Sequence, residues 1–530
     1  MSARKNVKKS WEKVHRFTIV YVIITYVAES EERATFPVWE CGSLCFLGGD
    51  MLRIVVIGAG IVGSLIAREL TKYDVEVILI EKELDVGWGV TKANSAIVHA
   101  GYDDPPGSVR ARFCAMGNKM YTELSEELDF ELKRIGSLVV AFDDEEIRVL
   151  EELLKQGEKN GVPNLEILDR DETLDKEPGL SPSVKASLWA PTAGITEPWM
   201  VAIAAVENAL DNGLELHLDE KVVDIVVEKS RVKKVVTERG EYEADVIVNC
   251  AGLFADEIAK MAGAEYTLIY PRKGEYILLD KNVGNLVKRI IFPTPTDISK
   301  GILVLPTVDG GILLGPTAMD LSRDRKRDLT TTREGLKEVV EKTKKMVPGI
   351  DLSYAIKTFA GLRPESPQRD FFIKASERIW GFINVMAMRS PGLTAAPTIA
   401  KYVVEKIIQE DLKINLQKKE DFNPYRKGII RFAELPLDEW DEWIKKDPLA
   451  GKIVCYCNRV TEREIVEAIK RGARTLDGIK FRTRAMFGRC QGGFCMTRIL
   501  KILARELGVD ESEILLKSRK SWLIDGRVRE

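Results

Sequence analysis

The stretch from Arg53 to Glu81 constrains the fold more than any other part of the chain. Arg53 to Gly58 (RIVVIG) is a short apolar strand running into Gly58, Gly60 and Gly63, spaced G-x-G-x-x-G. Ala67 and Leu70 follow at helical spacing, and a second apolar run, Val75 to Ile80, ends in Glu81. Strand, glycine turn, helix and second strand within about 30 residues make a βαβ unit of the dinucleotide-binding kind. Gly58 permits the tight turn, Gly60 lets the backbone approach a pyrophosphate, and Gly63 lets the helix pack closely on the strand. The helix N-terminus then faces the phosphates. Glu81 stands where an acid would hold ribose hydroxyls, which favours an unphosphorylated adenosine ribose.

Three later segments favour FAD over NAD. Asp245 to Asp256 (DVIVNCAGLFAD) is an apolar strand entering the small-residue turn Ala251-Gly252, where the chain can pass close to a cofactor. Gly361-Leu362-Arg363-Pro364 is a second such turn. The third, Ser390-Pro391-Gly392-Leu393-Thr394, opens the apolar helical run Ala395 to Ile408. A helix starting there aims its positive end at whatever lies before Gly392, a place suited to the negative charge of a reduced flavin. An NAD enzyme needs no closing segment so far down the chain.

In this order and spacing, from about Met51 to about Ile408, the segments resemble the glycine oxidase/glycerol-3-phosphate dehydrogenase superfamily of FAD enzymes. The resemblance implies an α/β fold in which a Rossmann-type FAD-binding domain is interrupted by an antiparallel β substrate domain. It implies that the backbone around Val223 meets the adenine. It also makes His99, in Asn94 to Gly101, part of the segment that crosses the flavin face. Imidazole can take an alcohol proton near neutral pH while carbon gives a hydride to flavin. His99 is therefore the candidate catalytic base, with a flavin contact and a core role as the alternatives. The chain has only two other histidines; His15 lies in an atypical N-terminal stretch and His217 on a strand that reads as surface. Relatives use the arginine of the G-x-R-P turn, here Arg363, for the anionic end of the substrate, and a guanidinium fork suits carboxylate or phosphate. Lys273, with Arg272 beside it, Arg389 and Thr317 are further candidates for the substrate pocket. One departure stands out: relatives often carry a histidine where this chain has Asp309, which weakens any transfer of substrate identity.

The last 76 residues hold Cys455, Cys457, Cys490 and Cys495, half of the chain's eight cysteines. Such clustering points to a metal site in a reducing cytoplasm rather than to disulfides. Thr461-Glu462-Arg463-Glu464 forms a capping box for a helix ending at Gly472, and Met496 to Leu507 traces an amphipathic helix stopped by Gly508. The cysteine loops bracket these helices and can converge on one site. C-x-C with C-x4-C fits zinc knuckles poorly. Lys452 to Gly508 resembles the bacterioferritin-associated ferredoxin type, a small helical domain, which implies a [2Fe-2S] cluster. Arg482, Arg484 and Arg489 are candidates for offsetting thiolate charge, for a solvated face or for a docking patch. Four parts are expected: 1–50, 51–414, a packed strap at 415–447, and 448–530.

A flavin accepts two electrons and a [2Fe-2S] cluster moves one at a time. Their union resembles the large catalytic subunits of anaerobic glycerol-3-phosphate dehydrogenases. That implies an anionic alcohol as substrate, sn-glycerol 3-phosphate, and an electron-accepting protein subunit. The alternatives are an L-2-hydroxy acid or amino/imino-acid dehydrogenase, and an electron-transfer subunit with no metabolite substrate. A net charge of -3 gives no hint of nucleic acid. The longest apolar run near the N-terminus, Phe17 to Val27, is too short to span a bilayer, so the protein is expected in the cytoplasm, with peripheral attachment to the inner membrane face only through a partner. The codons of Gly48-Gly49-Asp50 can spell a purine-rich ribosome-binding site before Met51. Residues 1–50 are accordingly read as translated leader, against the rival of a genuine anchoring extension.

Overall fold

The computed structural model describes residues 51–295 and 301–526. The expectations for residues 1–50 lie outside the described residues. Two large sheets organise the rest. The first has six strands in the order Phe372–Ala375, Phe382–Met386, Val246–Asn249, Arg53–Ile57, Glu76–Ile80, Glu215–His217. All neighbours are parallel except the Phe372–Ala375 edge. Ile54, Val55 and Val56 are fully buried, as a central parallel strand covered on both faces requires. Helices Ile61–Leu70, Pro198–Asp211 and Gly392–Tyr402 share the core of this sheet.

The second sheet runs Met319–Asp320, Tyr270–Leu279, Ile312–Gly315, Leu303–Pro306, Ile290–Pro293, Ser137–Ala141, Ala186–Ala190, Glu166–Asp169, with Ala355–Glu365 also paired to Tyr270–Leu279. Its pairs are antiparallel apart from Ile290–Pro293 with Ser137–Ala141. In chain order its strands fall in two blocks, so the Rossmann-type part is interrupted twice. The chain is thus α/β with an antiparallel second layer and a small helical C-terminal unit.

Residues 415–447 lie against the first layer. Tyr73 bridges Lys418, and the buried Arg426 guanidinium meets Glu207 at 2.6 Å and the Leu128 carbonyl at 2.9 Å. Trp440 packs with Phe432 and donates to the Ala450 carbonyl at 2.8 Å.

In the C-terminal unit Thr461 and Glu464 form the reciprocal cap of helix Glu462–Lys470. Gly508, at φ +67°, ends helix Met496–Leu507. A third helix, Leu476–Thr483, lies between them. It buries Leu476 and Ile479, but also Lys480, Arg482 and Thr483. Arg482 is taken up by Asp85 of the first layer, Lys480 lies over Phe487 and the Thr483 hydroxyl donates to the Ile479 carbonyl, so the helix carries no one-sided apolar stripe.

Candidate active site

The cleft lies where the two sheets meet. Gly60, Gly63, His99, Gly252, Thr317, Arg363, Arg389, Gly392 and Leu393 all line it. Gly58, Glu81 and Ala251 support it from behind. Gly58 sits at φ +109°, and a Cβ there would be 2.6 Å from the Cys250 carbonyl oxygen. A Cβ on Gly63 would be 2.0 Å from the Gly58 carbonyl. The two glycine turns therefore touch each other, backbone against backbone. Glu81 accepts from the amides of Ala59 at 2.9 Å and Glu83 at 3.0 Å. Burial pushes its carboxyl above the usual range, with Lys82 and the two amides opposing.

Two helix N-termini open on this cleft. Helix Ile61–Leu70 begins after Gly60 and helix Gly392–Tyr402 after Pro391; neither N-cap residue accepts through a side chain, neither first turn holds an acid, and only the neutral Thr91 hydroxyl accepts from the Ile61 amide, at 3.0 Å. Each positive end is thus left for an anion from outside the helix. A pyrophosphate and a flavin carrying negative charge fit these two ends, and the glycine cradle has room only for a bare backbone beside them.

His99 is buried. Its amide donates to Thr394 Oγ1 at 2.8 Å, and its Nδ1 accepts from the Gly101 amide at 3.0 Å. Its Nε2 lies 3.5 Å from Asp103 Oδ1, and Phe292 meets the ring edge to face. Thr394 thereby ties the His99 segment to the second helix end.

Three arginines line the cleft. Arg272 forms a fork with Asp320, at 2.6 and 2.8 Å. Arg389 Nε lies 3.0 Å from the buried Glu365 carboxylate. Arg363 stands opposite Arg272 in the antiparallel register. Among the described residues it has no carboxylate partner. Thr317 accepts from the Glu275 amide at 3.0 Å.

Lys273 is not brought to the cleft. Strand alternation sends its side chain to the other face from Arg272. There it is fully buried, donating to the Thr330 carbonyl at 2.9 Å and lying 3.7 Å from both Glu275 and Asp328. Val223 is exposed on the strand Val222–Glu228, away from the cleft lining. Asp309 accepts from the Thr307 hydroxyl at 2.6 Å in a turn outside that lining, so its departure from the relatives' pattern does not alter the cleft wall. The sequence reading missed Asp103, Tyr276, Phe292 and Glu365. Only Asp103, four residues after His99, carried a local signal.

The four C-terminal thiols form two pairs. Cys457 and Cys490 lie 3.6 Å apart, and Cys455 is hydrogen-bonded by Cys495. The ligands of one tetrahedral zinc converge on a single point, and among the described residues no three such donors do so. Two pairs suit two irons, each holding two thiolates. The Cys455 thiol is held below its ordinary range, first by the Cys495 hydrogen bond, against burial, and with help from the amides of Asn458, Met486 and Cys457. A Cβ on Gly488 would lie 2.4 Å from Cys457 Cβ, so the loops can close only on glycine there. Two of the arginines expected near the cluster serve elsewhere. Arg482 is buried in a fork with Asp85 of the first layer, and Arg484 bridges Glu197 and Glu131, both at 2.7 Å. Arg489 is exposed beside Cys490.

A Rossmann-type sheet with two anion-ready helix ends over one cleft, joined to a two-pair thiolate site, defines a flavin- and iron–sulfur-dependent oxidoreductase. The chain belongs to the FAD dependent oxidoreductase family, whose model matches residues 53–406, and residues 453–505 match the BFD-like [2Fe-2S] binding domain. FAD and a [2Fe-2S] cluster are its cofactors. The glycerol 3-phosphate dehydrogenase of Caloramator mitchellensis is 48% identical over 478 residues, covering 90% of this chain and 98% of the relative. The glycerol 3-phosphate oxidase of Mycoplasma genitalium is 32% identical, over 70% of this chain and 97% of that protein. The FAD-bound L-alpha-glycerophosphate oxidase structure from Mycoplasma pneumoniae superposes with a TM-score of 0.67 at 28% identity, over 71% of this chain and 98% of that one. No described helix is long and apolar enough to cross a membrane.

Proposed function

We propose that this chain oxidises sn-glycerol 3-phosphate to dihydroxyacetone phosphate, with the electrons leaving through its C-terminal [2Fe-2S] centre to a partner protein. The observation that carries the reading is Arg363: among the described residues it has no carboxylate partner, in a cleft where the other two arginines are matched by Asp320 and Glu365. A dianionic phosphate needs such a free fork. The similarity to a glycerol 3-phosphate dehydrogenase over most of the chain supports the same substrate.

Bound FAD supplies the hydride acceptor. Gly58, Gly60, Gly63, Ala251 and Gly252 would hold it by close backbone approach, with Glu81 toward the ribose, Val223 toward the adenine, and Gly392, Leu393 and Thr394 at the flavin end. Arg363 orients the substrate, with Thr317 and the paired Arg389 shaping the wall around it. His99 takes the hydroxyl proton. In the neutral ring its Nδ1 accepts from Gly101, which leaves the hydrogen on Nε2 toward Asp103. The substrate hydroxyl must displace the Gly101 amide to give its proton to Nδ1, and Asp103 then stabilises the imidazolium through Nε2. Cys455, Cys457, Cys490 and Cys495 hold the cluster.

Anaerobic stopped-flow mixing with glycerol 3-phosphate, following flavin and iron–sulfur absorbance together, tests the proposal. Bleaching of the flavin followed by the cluster is expected. His99→Asn and Arg363→Met should each slow flavin reduction about 10²-fold or more, Arg363→Met chiefly through weaker substrate binding. Faster bleaching by L-2-hydroxyglutarate or by an amino acid would replace the substrate. A flavin inert to all of them would leave only a relay role.

A further inference from the structure

The two cysteine pairs differ in exposure. Cys455 and Cys495 are each 1% exposed, whereas Cys457 and Cys490 are only partly buried. Around the outer pair stand two uncovered rings, Tyr456 at 61% and Phe494 at 73% exposure. Isolated exposed aromatics are ordinary; two beside the solvent edge of a redox site are an apolar patch of the kind that marks an interface.

The two segments that carry the cysteines bear side-chain charge of one sign. No Asp or Glu occurs from Lys452 to Thr461 or from Arg484 to Ala504. Arg459, Arg489, Arg498 and Lys501 are all exposed there. Among the described residues none of the four is in an ion pair, in a chain whose other exposed cations are repeatedly matched by carboxylates. Arg498 lies 5.0 Å over the Tyr456 ring, so charge and ring form one surface. The inward side of the same domain is closed: Arg482 and Arg484 are matched by Asp85, Glu131 and Glu197, and Lys281 donates to the Cys457 carbonyl at 2.8 Å.

From this asymmetry we infer that the face formed by Tyr456, Arg459, Arg489, Phe494, Arg498 and Lys501 is the docking surface for an acidic one-electron carrier protein. The inference rests on the reading that electrons leave through the C-terminal centre, and it names the exit. Each encounter passes one electron from the reduced centre to the oxidised centre of one carrier, so two carriers are reduced for each substrate oxidised. Opposite charge steers the encounter, and the two rings give it a dry centre.

The test is binding of the full, cofactor-loaded chain to an acidic plant-type ferredoxin, used as probe, by interferometry at low and high salt. A basic c-type cytochrome serves as the counter-probe. Salt-sensitive binding of the ferredoxin is expected. R489E/R498E should weaken it about 10-fold or more and Phe494→Ala several-fold. Lys155→Glu, on the helix Asp144–Lys159, should leave it unchanged, and all variants should keep the cluster absorbance. No binding, equal effects of R489E/R498E and Lys155→Glu, or equally tight binding of the basic cytochrome would overturn the assignment. Dithionite-reduced chain is separately mixed with ferricyanide. If the cluster absorbance does not return, the exit reading itself fails. If it returns while ferredoxin binding ignores R489E/R498E, only the docking surface fails.

Discussion

Replacing Arg482 by methionine removes the most deeply buried ion pair, among the described residues, that joins the cluster domain to the flavin body. Asp85 is 1% exposed and Arg482 6%. The fork closes at 2.5 and 2.8 Å, and Arg482 also donates to the Gly478 carbonyl at 3.2 Å. Taking away one member of a buried pair leaves an uncompensated charge and costs about 3–5 kcal/mol. Asp85 keeps one bond, from the Val86 amide at 2.8 Å, so the lower end applies. About 3 kcal/mol corresponds to a roughly 10²-fold shift in the opening of this interface. Trp88 and Trp199 report on it, because both pack on Phe481 with ring centroids 5.4 and 5.2 Å apart. Near-ultraviolet dichroism during urea unfolding should show the first transition at lower denaturant, ahead of flavin release. Asp85→Leu combined with Arg482→Met should recover most of the loss, since well-packed apolar replacements of a buried pair are near neutral. If Arg482→Met unfolds with the parent, or the double variant is as weak as the single, the pair does not hold the interface.

Gly63→Ala should strip FAD, because its Cβ would lie 2.0 Å from the Gly58 carbonyl oxygen; the flavin-to-protein ratio after gel filtration measures this. Cys490→Ser should abolish the cluster's visible absorbance and iron content while the flavin spectrum persists, since it breaks the pair with Cys457. The pH dependence of stability should carry the mark of Lys480, whose ammonium is lowered to about 7, by burial first and the nearby Lys357 charge next. Unfolded, that lysine keeps its proton to about pH 10.5. Between those values the unfolded chain therefore binds more protons, and raising the pH favours the fold. Lys480→Met should flatten that rise, as urea midpoints between pH 7 and 10 would show.

The parts of the fold that were legible are those whose signals are local. The strand, glycine turn and helix at 53–70 follow from apolar runs and from glycines with no room for a side chain. The capping box at Thr461 and the stop at Gly508 are also local. Helix Leu476–Thr483 was not legible, because its buried arginine finds its partner, Asp85, in the flavin body and its buried lysine lies over Phe487. For a like reason the roles of Arg482 and Arg484 stay open in the sequence among cluster charge, a solvated face and a docking patch, because their carboxylates lie more than 280 residues away. In the structure His99, Arg363 and Gly392, far apart in sequence, line one cleft. The sequence reading misplaced Lys273, although strand alternation alone separates it from Arg272. What no local pattern could supply is which arginines are already neutralised: Asp320 and Glu365 come from different strands of the second sheet.

The seam between the flavin body and its cysteine-bearing neighbour is lined by Trp88, Trp199, Phe481 and Phe487 and by acids that answer arginines across it. Severing the polypeptide before that neighbour would bare the indoles and strand Asp85 without a counter-ion. The body would then offer a sticky, charged scar beside the segment that reaches Thr91, the hydroxyl holding the first helix at 3.0 Å. The cysteine-bearing half therefore covers surface that the flavin body would expose only at a cost in stability.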